Sequence, residues 1–172
     1  MSFDDIRRPV FSPDKQWAYL ARARTIRVAS LGENSRIRLL PNWFVVHERR
    51  LVLVVEEPEQ ADDLLSGRAF SAVVDDGEDY RSLHGLAIEG RARVLEDPDL
   101  LEWVPQALFD KYFHVGHPHA ESYFEFGAWV GRRYLEISPE RMEGWDLREE
   151  THPQNRERRS FPHPLSDRIY QQ

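Results

Sequence analysis

The stretch Gly85–Val94, GLAIEGRARV, decides the fold. In an extended chain Leu86, Ile88, Gly90, Ala92 and Val94 fall on one face, and Ala87, Glu89, Arg91 and Arg93 on the other. Successive side chains of a strand point to opposite faces, so this period of two marks a long strand with one face on a core. Gly85 and Gly90 allow such a strand to bend, as closing a sheet into a barrel requires.

Shorter strands surround it. Thr25–Leu31, TIRVASL, alternates; the turn GENS follows, and the chain returns as RIRLLPNWFVV. Pro41 interrupts that return and implies an edge position, a bulge or a barrel corner, because it lacks an N–H for the ladder. HERR turns the chain into the buried run LVLVV, Leu51–Val55. Phe70–Val74 and Gly131–Ser138 read as further strands, and PERMEGWD as a turn leading to a packed Trp145. Helices are expected over residues 14–23, from Pro58 to a stop at Gly67, and over Asp97–Phe113, where Pro105 splits or kinks the helix. Six mostly antiparallel strands with two or three helices suggest a small closed barrel with helices at its ends.

Composition bounds the rest. The 172 residues are 41% hydrophobic and 31% charged, enough for one core. No apolar run approaches the roughly 20 residues of a spanning helix, and MSFDDIRRPVF has no apolar core of a signal peptide, so a cytoplasmic protein away from membranes is expected. A net charge of −7 argues against nucleic acid as a partner. Without cysteine there is no disulfide, thiolate catalysis or cysteine-held metal. Among the basic residues only Lys15 and Lys111 are lysines, an arginine excess that reads as coding bias. From Leu147 the sequence turns polar and rich in Pro and Arg, dividing the chain into a 1–146 domain and a 147–172 tail.

The order TIRVASLGENSRIRLLPNWFVV, LVLVV, short helix, FSAVVDDGEDY, GLAIEGRARVLEDP, YLEISPERMEGWD resembles the pyridoxamine 5′-phosphate oxidase-like split β-barrel superfamily. The likeness covers about Ala21 to Asp146 and is nearest to the branch that uses FMN or the deazaflavin F420. It implies a mainly β, six-stranded antiparallel split barrel with peripheral helices. It also implies a homodimer holding cofactor in two equivalent clefts and an oxidoreductase acting on a small organic substrate.

Carried over position by position, Leu40, Pro41, Asn42 and Trp43 would lie along the flavin ring. The family's basic, phosphate-gripping pair falls on Glu59 and Gln60, inside VVEEPEQADDLL, where Glu56, Glu57, Glu59, Asp62 and Asp63 cluster. Acids there suit a helix start and repel a phosphate. Arg68, Arg81, Arg36 or Arg38 would have to supply the anion clamp instead. In the segment Tyr80–His84, read as part of the fifth strand, Tyr80, Ser82 and His84 share a face; His84 would meet the flavin edge or, in a haem-binding relative, the iron. His114, His117 and His119 of HVGHPH are the other candidate haem or metal ligands. A cofactor-free small-ligand-binding member is the third reading. The catalytic acid or base is not assigned.

Overall fold

The protein is described from a computed structural model, which defines residues 11–79, 82–113, 117–119, 122 and 132–149. In chain order these form α1 (Pro13–Arg22), β1 (Ile26–Leu31), β2 (Ile37–His47), β3 (Arg50–Val55), α2 (Pro58–Leu65), β4 (Phe70–Asp76), β5 (His84–Val94), α3 (Pro98–Tyr112) and β6 (Arg133–Asp146). The six strands close into a barrel in the order β1-β2-β3-β6-β5-β4, with every ladder antiparallel. This is the small closed barrel that six mostly antiparallel strands suggest, and the mainly β split barrel that the resemblance implies.

The continuous apolar run of β3 has a physical cause, since both of its faces are buried. Leu51, Leu53 and Val55 point into the barrel with Ile26, Val28, Phe44, Leu86 and Ile88. Val52 and Val54 lie outside it, under Leu100, Val104 and Leu108 of α3. Asp97 caps α3 by accepting from the backbone N–H groups of Asp99 and Leu100 at 3.1 and 3.3 Å.

Four expectations are corrected. β2 runs unbroken through Pro41, which stands opposite Arg27 in the β1 ladder. α3 likewise continues through Pro105, so the helix is not split there. PERMEGWD is not a turn: β6 extends to Asp146, and a register shift opposite Glu89 and Gly90 accommodates Pro139 and the extra residue Glu140. β5 begins only at His84; Ser82 lies in a turn closed by hydrogen bonds with Asp79, so Ser82 and His84 do not share a strand face.

β2 changes partner midway. Ile37–Asn42 pair with β1, whereas Trp43–His47 pair with β3. Pro41 therefore sits one residue before the changeover, and among the described residues the first half of β2 has no ladder partner on its β3 side. Past the changeover, on the β1 side, Tyr112 completes β2. Its hydroxyl accepts from the Phe44 N–H at 3.0 Å and donates to the Phe44 carbonyl at 3.1 Å.

Candidate functional site

The changeover in β2 opens a cavity of about 480 Å³ between β2, the end of β3 and the start of α2. Its walls include Leu40, Pro41, Asn42, Trp43, Glu56, Glu57 and Gln60. Five of the residues singled out from the sequence (Leu40, Pro41, Asn42, Trp43, Gln60) thus meet at one place. The size falls within the roughly 300–1,000 Å³ of small-molecule sites. Trp43 forms one wall, its ring stacked on Tyr112 at 4.7 Å and 13° and edge-on to Phe113.

Gln60 differs from its expected role. It is fully buried, because Gln60, Ala61 and Leu64 form the inner face of α2. Its amide is exchanged with that of Asn42: Asn42 Nδ2 donates to Gln60 Oε1 at 2.9 Å, and Gln60 Nε2 donates to Asn42 Oδ1 at 3.0 Å. Asn42 Nδ2 also donates to the Val54 carbonyl at 3.2 Å. This pair pins the floor of the cavity and leaves β2, β3 and α2 in fixed register; an anion clamp would need Gln60 turned outward.

The rim is acidic. Glu57 is the N-cap residue of α2 and makes no side-chain capping bond, while Arg132 pairs with Glu56 at 2.6 Å. Around the helix, Arg38 contacts Glu59 and lies 3.2 Å from Asp63. Those partners raise the pKa of Arg38, the hydrogen bond to Asp63 most strongly. Arg68 donates to the Gly32 carbonyl at 2.7 Å and to Ser66 Oγ at 3.0 Å. Arg36, Arg38 and Arg68 line a second cavity of about 430 Å³ with Glu59, Asp62 and Asp63. The first cavity has room for a planar ring, and its rim is acidic; of the nearby cations Arg38 and Arg132 hold carboxylates and Arg68 a carbonyl, whereas Arg36 holds neither among the described residues.

His84 lies elsewhere, in a third cavity of about 620 Å³ with Tyr19, Arg22, Arg24, Arg27, Asp75 and Asp76. Its Nδ1 is 2.7 Å from the Ser82 carbonyl, which can only accept, so Nδ1 carries a proton. Tyr19 donates to the His84 carbonyl at 3.3 Å and packs edge-on against the ring. Burial pushes the Tyr19 phenol up to about 12, so it stays a donor. Arg81 and His114 lie outside the described residues. His117 and His119 are neighbours, ring centroids 5.6 Å apart, but no group of three metal-competent side chains occurs among the described residues.

Lys111, which the sequence reading passed over, extends from the last turn of α3 over the Phe44 ring, 3.6 Å from its centroid. Its Nζ is shielded from solvent and has no hydrogen-bond partner among the described residues. Burial first, and Arg24 second, hold its pKa down at about 7. A lone lysine in a helical pattern carries no signal for this.

Solved structures match most of the chain. A conserved hypothetical protein from Mycobacterium tuberculosis shares 23% identity at a TM-score of 0.68, over 81% of this chain and 87% of that one. The haem storage protein HutZ from Vibrio cholerae matches at 0.60 and 14% identity, over 78% of this chain and 95% of the other. An FAD-binding protein from Mesorhizobium loti matches at 0.58 and 13% identity, over 81% and 97%. Chains named as candidate pyridoxamine 5′-phosphate oxidases match as well. No protein-family model and no curated protein matches the sequence. The chain shares with these structures the fold of a six-stranded antiparallel split β-barrel.

Proposed function

We propose that the cavity at the β2 changeover holds the ring system of a flavin or deazaflavin, and that the protein is a redox protein acting on a small organic substrate. The observation that carries this reading is the partner switch of β2 between Asn42 and Trp43. It frees one edge of backbone donors and acceptors along a cavity with Pro41 and Trp43 on its wall. A heteroaromatic ring with an edge of alternating donors and acceptors suits such a strand, as a further strand would. The match to a protein named as FAD-binding supports the same class of ligand.

When bound, a flavin-class ring supplies the hydride chemistry. The chain's own residues supply position and exclusion of water. The Asn42–Gln60 amide pair fixes the floor, and the Trp43–Tyr112 stack stiffens one wall. The acidic rim directs the choice of ligand: the ring rather than a phosphate tail carries the affinity.

The protein works as a homodimer in this reading. Ile37 and Leu39, on the outer face of β2, are 71% and 62% exposed, and Leu31 continues the apolar stripe. A second copy covering that stripe would close the cavity from outside.

The absorption spectrum of freshly purified protein tests the proposal. A band near about 450 nm for flavin or about 420 nm for deazaflavin is expected, or its appearance on adding that cofactor. A Soret band near about 400 nm identifies haem and overturns the reading.

A further inference from the structure

We infer that the third cavity, at the barrel end between α1, β4 and the start of β5, is a binding site for a phosphate monoester of a hydroxylated small molecule. This goes beyond the redox reading and uses none of the walls of the first cavity. Most described arginines hold a carboxylate, as Arg27 does with Asp75 and Arg148 does with Asp146. Arg22 and Arg24 are exceptions. Both line this cavity, and among the described residues neither has a hydrogen bond or a carboxylate within ion-pair distance. Arg22 closes the last turn of α1, and Ala23 follows in an extended conformation, so the chain presents both arginines to the same space.

The terminal dipole of α1 explains one cation at this position. It does not satisfy two guanidinium groups. One arginine fork saturates a carboxylate; two forks beside the Thr25 side chain match the three terminal oxygens of a phosphate monoester. The β4 side of the same cavity carries Asp75 and Asp76. These repel an anion and accept from hydroxyl groups, so the site distinguishes a charged end of the ligand from a hydroxylated body. The Nδ1 of His84 is committed to the Ser82 carbonyl, which leaves Nε2 facing the hydroxylated body as a further hydrogen-bonding group. The cavity, about 620 Å³, is the largest of the three described and takes a molecule of sugar phosphate size or somewhat larger.

Calorimetric titration of the full chain with ribose 5-phosphate, inorganic phosphate and ribose tests the site. Ribose 5-phosphate should bind saturably, at least about tenfold tighter than inorganic phosphate and more so than ribose. The double variant Arg22→Gln/Arg24→Gln should lose at least about tenfold in that affinity. Arg91→Gln, which removes an exposed cation paired with Glu140 away from the cavity, should lose none. Both variants remove exposed side chains, and their thermal unfolding reports on folding. Absence of saturable ribose 5-phosphate binding, equal binding of inorganic phosphate, or equal loss in the Arg91 variant overturns the inference. Flavin binding to the double variant is read in parallel: it survives if only this site is absent, so the two proposals fail separately.

Discussion

Replacing Lys111 by Met should stabilise the protein, and by an amount that depends on pH. The ammonium lies 3.6 Å from the Phe44 ring centroid and 5.6 Å from that of Tyr112, without a hydrogen-bond partner among the described residues. Its pKa falls from 10.5 to about 7. At about 1.4 kcal/mol per unit this corresponds to about 4–5 kcal/mol of penalty for the charged form. Solvent reaching the outer part of the side chain reduces it to about 2–4 kcal/mol.

The folded pKa lies below the unfolded one, so between pH about 7 and 10.5 the unfolded chain binds more protons and stability rises with pH. Tyr19 and Tyr112, both pushed up to about 12 by burial, do not titrate in that window. Urea unfolding followed by tryptophan fluorescence measures the difference. Near pH ~6 the Met variant should exceed the native protein by about 2–4 kcal/mol, and near pH ~10.5 the advantage should shrink to about 1 kcal/mol or less. An advantage independent of pH, or a variant less stable near pH ~6, refutes the placement of an uncompensated amine against Phe44.

Gln60→Leu should cost about 1–3 kcal/mol in the same assay, because it strands the Asn42 amide, and Asn42→Leu added to it should recover part of the loss rather than add to it. Glu136, buried between Arg50 at 2.8 Å and Arg93 at 2.7 Å, is held below the ordinary carboxylate range, chiefly by Arg50. Its contribution is present above the unfolded carboxylate pKa and is lost as pH falls through the folded value; Glu136→Gln should therefore destabilise by about 1–2 kcal/mol at neutral pH and flatten the acid limb of the stability curve.

What the sequence made legible follows the regularity of each element. β5 reads plainly because its period of two holds from Leu86 to Ala92, with Val94 at its end exposed, and β3 because burial on both faces leaves no polar position from Leu51 to Val55. β6 hides its second half: Pro139 and Gly144 carry turn chemistry, and only the facing ladder of β5 shows that a bulge absorbs it. The stretch Leu40–Trp43 came from resemblance, and its geometry depends on which strand pairs with it, a property of distant residues. Gln60 stands four residues before Leu64, so its inward face was readable from helical spacing, but Asn42 as its partner was not. Arg22 and Arg24 look like any other arginines in an arginine-rich chain. Their distinction is that no carboxylate of the described residues lies within ion-pair distance of either, which only the folded arrangement reveals.

Fluorescence titration of the purified protein with riboflavin and with FMN tests the flavin reading most directly. The ring slot beside Trp43, with a rim carrying Glu56 and Glu57 and with Glu59 on the second cavity around the helix, predicts saturable binding of both, with affinities within about tenfold of each other. Glu59→Gln, which releases Arg38 from one of its two carboxylates, should then shift the preference severalfold toward FMN. Failure of both to bind, with the deazaflavin F420 failing as well, or FMN binding more than about a hundredfold tighter than riboflavin, contradicts it.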